Sequence, residues 1–430
     1  MERPPHLGGD RRDDRQPVAP SGQPVSGATD TCLPSAEWRS LPGLDRLAAI
    51  LGGEAGEARF VGGAVRDSLL GIAVADVDLA TCHAPETVMA RLKDAGIRAV
   101  PTGLAHGTVT AILDGHPVEV TTLRRDVSTD GRHALVAFTD DWRADAARRD
   151  FTINALYADP DSGRVHDYFG GLADLAARRV RFIGDPLQRI AEDHLRILRF
   201  FRFHARFGDA IDAAGLEACA TRANDLMALS RERIAAELLK LLVARAAVPV
   251  VRLMVARGIL IAVLPEIDAA GVERFALLAE REAAAGIAPD PIRRLAALTP
   301  PAEAEVIGAR LKLSNAQRKR LIAASMGPGD EGPLALGYRV GVESAIDRLL
   351  LADADASPLD GWTPPRLPIS GGALVARGLA KGPDVARALR AIETQWIAEG
   401  FPDAARVDQI ADSVASASIA SAAGASSGRA

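Results

Sequence analysis

Cysteine is scarce in this chain. There are three, Cys32, Cys82 and Cys219, far apart and odd in number, so neither a disulfide framework nor a zinc-ligand spacing follows from them, and a reducing cytoplasm fits. Lysine is almost as thin, present at Lys93, Lys240, Lys312, Lys319 and Lys381, and nearly all the positive charge is arginine. The formal net charge of −5 removes a chain-wide basic footprint for nucleic acid but leaves room for a local patch. No apolar run approaches the ~18 residues of a membrane span. Histidine is missing from the second half: all eight lie at or before His204, so any chemistry that needs imidazole belongs to the first half. Residues 1–38 are rich in Pro, Gly, Arg and Asp. They lack the apolar core of a signal peptide and are too acidic for a transit peptide, and they read as a disordered leader.

What is present is enough for a large core. The chain has 430 residues, 48% hydrophobic and 25% charged, ordinary for a globular protein of two to four domains. Up to about Phe182 the pattern is mixed. Helices are expected at Leu44–Leu51, Val65–Leu70 and Pro85–Ala95, and strands at Arg59–Val61 and Val77–Ala80. Thr108–Leu113 and His116–Thr121 flank Asp114-Gly115, a strong hairpin signal. Arg124–Ala147 reads as a polar segment, long for a loop inside a compact domain. From Pro186 onward helical spacing takes over, as in Arg189–Phe207, Arg231–Ala246 and Val385–Glu399. The expected class is α+β: a head of small mixed sheet and helices over 39–186, then an all-α remainder. That remainder divides into a neck at 187–270, a body and tail at 271–402, and a loose Ala/Ser/Gly-rich tail at 403–430.

Within the head, Asp76-Val77-Asp78 is the candidate for chemistry. Residues i and i+2 of a strand share a face, so Asp76 and Asp78 project together while Val77 and Leu79 face the core. Glu119 alternates with Val118 and Val120, and if its strand lies beside Asp78 three carboxylates converge. Such a group repels itself unless a cation neutralises it, and two divalent ions ~4 Å apart would activate an attacking hydroxyl and steady a leaving pyrophosphate. Taken alone, the DxD is equally a solvated strand edge and Glu119 a solvent-facing residue. Gly62-Gly63, between a strand and a helix carrying Arg66, offers backbone N–H groups and a cation to a triphosphate; its bland alternative is a tight turn.

The run from Gly62 to Gly71 (GGAVRDSLLG) followed by Asp76-Val77-Asp78 resembles the signature of class II tRNA nucleotidyltransferases and bacterial poly(A) polymerases. Further segments resemble that family in order. Arg148–Leu156 (RRDFTINAL) is similar to its ribose-selecting motif, Phe169–Leu175 with Ile183–Pro186 to its hinge, Glu192–Arg196 (EDHLR) to its base-selecting motif, and Ser230–Arg233 to the next segment. The likeness is strong from about Phe60 to Leu242 and returns weakly at Leu367–Phe401, where Ala373 stands in place of an expected Asp.

The resemblance implies a nucleotidyltransferase that adds CCA to the 3′ end of tRNA from CTP and ATP, with two Mg²⁺ ions. Asp76, Asp78 and Glu119 become the catalytic acids, the first two as metal ligands, and Gly62, Gly63 and Arg66 the triphosphate site. Arg149, Asp150 and Asn154 become ribose readers; their bland roles are a solvated Arg and an N-cap. Asp193 and Arg196, three apart on one expected helix, would select the base. Cytosine and adenine both present an amino donor beside a ring acceptor, and a carboxylate with an arginine complements that pair, whereas uracil and guanine reverse it. An intrahelical ion pair is the plain alternative. Arg199 and Arg202, on the same stripe, are further nucleotide or RNA contacts or a solvated face. In the family, Arg124–Ala147 resembles the flexible element that switches one site from CTP to ATP, and Gly103–Thr108 (GLAHGT) is closer to CCA-adding enzymes than to poly(A) polymerases. The other readings are a poly(A) or A-adding enzyme and a non-catalytic tRNA-binding protein. A His-Asp phosphohydrolase domain is excluded because no histidine follows His204.

Overall fold

The computed structural model describes residues 28–129 and 134–427. The chain divides into two compact units, Met1–Val127 with Val136–Leu175, and Ser128–Leu135 with Ala176–Ala430.

The strands are β1 (Ala28–Cys32), β2 (Ala58–Val61), β3 (Val77–Thr81), β4 (Arg98–Gly103), β5 (Thr108–Leu113), β6 (His116–Thr122), β7 (Arg124–Thr129), β8 (Ala134–Phe138), β9 (Leu156–Ala158) and β10 (Arg164–Asp167). Eight form one sheet in the order β1-β10-β9-β2-β3-β6-β5-β4, and β7 pairs with β8. Within the large sheet every neighbouring pair is antiparallel except β3 and β6, which run parallel. A parallel pair needs a crossover, and here a helix, β4 and β5 make it. The helices α1 (Leu44–Ile50), α2 (Gly63–Leu69) and α3 (Pro85–Asp94) stand where helical spacing places them. Asp114 and Gly115 both take positive φ, 46° and 86°, as the tight hairpin turn between β5 and β6 requires.

Three segments differ from their sequence reading. Arg124–Ala147 is not a long loop: β7 and β8 occupy its first part and α4 (Trp142–Ala147), N-capped by the Asp141 carboxylate, its last; residues 130–133 lie outside the described residues. The leader is ordered from Ala28, where β1 adds to the sheet edge beside β10; its residues 1–27 lie outside the described residues. The C-terminal segment read as a loose tail forms one helix, Ala404–Ser427, because Val407, Ile410, Ala411 and Ala415 give it an apolar stripe that packs with Trp396 and Ile392.

From Ala176 to Ser427 the described residues hold helices and turns and no strand. After α5 (Gly171–Ala176) come α6 (Pro186–Glu192), α7 (Arg196–Phe207), α8 (Ala213–Thr221) and α9 (Arg231–Leu242). Helix α7 buries Phe200, Phe201, Phe203 and Phe207, with Phe200 stacked on Phe182 at 5.4 Å between ring centres. Further along, four charged side chains are buried together: Glu282, Arg293, Arg294 and Asp347. Among the described residues no helix is long and apolar enough to cross a membrane.

Candidate active site

The register of β3 on β6 builds the acidic edge. Val77 pairs with Val118, Asp78 with Glu119 and Leu79 with Val120. Directly opposite residues share a face, so the buried Val77, Leu79, Val118 and Val120 point into the core and Asp78 and Glu119 stand side by side on the other face. Asp76 lies one residue before β3 rather than within it, and is exposed. Burial pushes the Asp78 carboxyl up to about 6, helped by the Glu119 charge; Arg149 works against this and Asp76 adds to it. A carboxylate raised by its acidic neighbours is what a cation-binding site looks like before the cation arrives, and an all-oxygen donor set suits a hard divalent ion.

A divalent ion held by Asp78 would compete there with protons. Divalent-ion affinity, followed by the thermal shift that the ion produces, is expected to weaken about fourfold from pH 7.5 to 5.5 through this one group. The sign follows from the raised value: above about 6 the carboxylate is free to bind, and below it the proton must first be displaced. A flat profile over that range would remove Asp78 from the cation site.

Strand β2 runs into Gly62, whose backbone (φ 67°, ψ −116°) only glycine adopts readily, and α2 begins at Gly63. Arg66 does not stand free above this turn. It is 6% exposed; its Nη1 donates to Asn154 Oδ1 at 2.5 Å and its Nε to Asp67 Oδ1 at 2.7 Å. Asn154 Nδ2 in turn donates to Asp150 Oδ1 at 2.9 Å. A buried polar chain thus joins the glycine turn to the Arg148–Leu156 segment. Asp150 also accepts from the Phe151 N–H at 2.8 Å, but the short 3-10 turn Thr152–Asn154 follows Phe151, so Asp150 is not its N-cap.

Arg149 is fixed by two residues that sequence reasoning passed over. Its guanidinium donates to Asp145 Oδ2 at 3.1 Å and to the Tyr157 hydroxyl at 3.1 Å, and Tyr157 donates to Asp145 at 2.7 Å. Burial alone would raise Asp145; Arg149 and Arg148 outweigh it and hold the carboxyl down to about 2. A side chain begun at Gly62 would come within 3.6 Å of Arg149 Nη1, so the turn, Arg149 and Asp78 share one neighbourhood. The signal for this hub was in the sequence, as Asp145 at i−4 from Arg149, but Tyr157 is supplied by β9.

In the second unit the expected single helix over Arg189–Phe207 breaks. Asp193 closes α6 with extended backbone (φ −149°, ψ 106°) and α7 starts at Arg196, so the two are not three apart on one helix. The Asp193 carboxylate is gripped by Arg233 Nη2 at 2.9 and 3.1 Å. Arg196 Nη1 donates to Glu192 Oε2 at 2.7 Å and to the Arg189 carbonyl at 2.9 Å. Arg202 pairs with Glu237 on α9, and Arg199 lies 4.0 Å from the same carboxylate. Arg233 explains the Ser230–Arg233 segment: Ser230 caps α9 and sets Arg233 opposite Asp193.

An acidic strand pair beside a glycine turn, with a helical unit after it, is the layout of a nucleotidyltransferase. The model described as Poly A polymerase head domain matches residues 58–181, and that described as Probable RNA and SrmB-binding site of polymerase A matches 210–270. A protein of Mus musculus named CCA tRNA nucleotidyltransferase 1, mitochondrial, is 37% identical over 399 residues, which cover 86% of this chain and 90% of that one. A CCA-adding enzyme of Streptococcus pyogenes is 42% identical over 215 residues, covering 49% and 51%. The crystal structure of the Bacillus stearothermophilus CCA-adding enzyme in complex with CTP superposes with a TM-score of 0.62 at 28% identity, over 83% of this chain and 93% of that one. The chain belongs to the class II tRNA nucleotidyltransferase and poly(A) polymerase family. It is an enzyme of a generally metal-dependent family.

Proposed function

We infer that this enzyme adds CCA to the 3′ end of tRNA, without a nucleic-acid template, using CTP and ATP and releasing pyrophosphate. The observation that carries the chemistry is the pairing of Asp78 with Glu119 across parallel strands, with Asp76 beside them; the substrate follows from relatives named for CCA addition that match nine-tenths of their own length. Asp76, Asp78 and Glu119 would hold two Mg²⁺ ions, which when bound supply charge neutralisation at the attacking 3′ hydroxyl and the departing pyrophosphate. Gly62, Gly63 and Arg66 frame the triphosphate end, Arg66 through its anchor on Asn154. Arg149, Asp150 and Asn154 meet the ribose, and the Asp145–Tyr157 hub fixes the Arg149 guanidinium. Three unpaired cysteines accord with a reducing compartment, which we take to be the cytoplasm.

The deciding experiment is incorporation into a tRNA transcript lacking CCA, with Mg²⁺ and CTP, ATP or both. Extension by CCA and then a halt supports this reading. Addition of A alone to a CC-ended transcript makes the chain an A-adding enzyme, long A tails a poly(A) polymerase, and no incorporation a tRNA-binding protein.

Base choice falls to Asp193 and Arg196, with Arg199 and Arg202 as further nucleotide or RNA contacts. For the first two to read a base, Asp193 must share its carboxylate between Arg233 and an amino group, and Arg196 must turn from Glu192. Removal of the acceptor in Asp193→Ala is expected to lower discrimination of CTP against UTP by roughly 30–150-fold, the equivalent of a selective hydrogen bond of about 2–3 kcal/mol. Competition assays with labelled UTP measure it; unchanged discrimination would discard the assignment.

A further inference from the structure

At the far end of β3 from the acidic edge lies a second group of metal-ligating side chains. Glu57 immediately precedes β2, and Cys82 and His83 immediately follow β3. The antiparallel pairing of Ala58 with Thr81 brings them together, and the Cys82 N–H donates to the Glu57 carbonyl at 3.0 Å. One thiol sulfur, one imidazole nitrogen and one carboxylate oxygen all lie within 4.8 Å of one another. His83 Nε2 stands 3.2 Å from Glu57 Oε2, yet that nitrogen is buried and no hydrogen bond is aligned on it among the described residues. Gly52 makes room: a side chain there would begin 2.1 Å from Glu57 Oε2. The Asp78 carboxylate is four residues back along the strand, roughly 13 Å away at strand rise, so the two groups do not share a cation.

We propose that Glu57, Cys82 and His83 form a site for a borderline-soft divalent cation, zinc, distinct from the catalytic carboxylates. Tetrahedral zinc holds its ligands at about 2.0–2.3 Å, so neighbouring ligand atoms sit roughly 3.3–3.8 Å apart, a spacing the present cluster reaches by small side-chain rotations. Binding forms a zinc–sulfur bond as the Cys82 proton leaves to solvent, and His83 Nε2 gains a bond along its lone pair in place of its unaligned contact with Glu57. Thiolate and carboxylate together cancel the charge of the ion, and water fills the fourth position. Sulfur and imidazole donors disfavour Mg²⁺ here. The ion would clip the start of β2 to the end of β3, the strand that carries Asp78. Cysteine spacing along the sequence does not reveal this site because Glu57 reaches it across the sheet.

The test uses the full chain in excess Mg²⁺ with one equivalent of zinc. After gel filtration, zinc content is measured, and iodoacetamide labelling of each cysteine is followed by peptide mass spectrometry. One zinc is expected to stay with each chain, with Cys82 labelling slowed about tenfold or more by coordination and labelling of the exposed Cys32 unchanged. His83→Gln and Glu57→Gln are each expected to weaken zinc affinity by roughly 100-fold, at least what loss of a supporting residue costs a metal site. Equal Cys82 labelling with and without zinc overturns the proposal and needs no variant. Zinc retention without protection of Cys82 also overturns it, since the ion then sits elsewhere, and so does protection that survives both substitutions.

Discussion

Asp78→Asn is expected to abolish nucleotide incorporation while making the cation-free protein more stable at neutral pH. The two effects have one cause. In the wild type the carboxyl is pushed up to about 6 by burial and by Glu119, so at pH 7.5 it is ionised against its surroundings. Its folded value is raised above that of the unfolded chain. The stability linked to it is therefore fully present below about 4 and lost as pH rises through about 6. Asparagine keeps the shape and removes the charge, so the melting temperature should exceed that of the wild type at pH 7.5 and converge with it near pH 4. Activity moves the other way. On the role proposed for Asp78 as a ligand of the divalent ions, its loss is expected to cost at least about 10³ in rate, some 4 kcal/mol of transition-state stabilisation. Asp76→Ala is expected to lose activity to a similar degree with a smaller gain in stability, because Asp76 is exposed. Single-turnover incorporation into a tRNA lacking CCA, beside thermal melts at both pH values, tests the pair. Incorporation by Asp78→Asn within about tenfold of wild type would remove the carboxylate from the chemistry.

The acidic edge was legible because strand geometry is rigid. Val77 and Leu79 mark the buried face, so Asp78 must lie opposite, and the Asp114-Gly115 turn fixes where β6 begins and hence which way Glu119 points. What the pattern could not state was adjacency. That β6 lies against β3, with Asp78 on Glu119, depends on a crossover through β4 and β5 that local periodicity does not record. Strands β9 and β10, three and four residues long, were too short to read as elements. Yet β9 carries Tyr157, which completes the Arg149 hub.

Errors at the second site have a different origin. Glu192–Arg196 lies inside a stretch whose apolar spacing is helical on both sides, and nothing local announces the break. Asp193 leaves α6 in an extended conformation, and its carboxylate meets Arg233 from 40 residues further on. With α6 closed at Asp193 and α7 opened at Arg196, the i, i+3 argument fails. Arg66 shows the same limit. The sequence offers it as a cation for a triphosphate and does not show that Asn154, 88 residues away, ties it down. In both places the partner lies far along the chain, where local spacing carries no record of it.

The buried charges of the helical unit carry the largest stability effect. Glu282, 1% exposed, accepts from Arg293 Nε at 2.8 Å and from Arg294 Nε at 2.7 Å. Arg293 continues to Asp347 at 3.2 Å, and Asp347 accepts from Arg320 at 2.7 Å. Arg293 Nη2 also donates to the Ala288 carbonyl and Arg294 Nη1 to that of Leu242. The two buried carboxylates thus balance the two buried guanidinium groups, and Arg320, at the edge, is shared with Asp290 and Glu343. Glu282→Ala removes the shared acceptor and leaves two guanidinium groups buried without it. The expected cost is about 3–5 kcal/mol, the penalty of an uncompensated buried charge rather than the worth of the ion pair itself. Glu282→Gln, which retains one acceptor oxygen, should lose less. Glu273→Ala, whose partner Arg252 is half exposed, should leave the midpoint nearly unchanged. Urea unfolding followed by Trp396 fluorescence, with the other three tryptophans, Trp38, Trp142 and Trp362, replaced by phenylalanine, measures all three in the helical unit, because a two-unit chain need not unfold in one step. A midpoint for Glu282→Ala equal to that for Glu273→Ala would mean that water reaches the cluster and that burial is not what makes it matter. The other outcome would identify the helical unit's rigidity as resting on a charge network that no periodicity in the sequence announces.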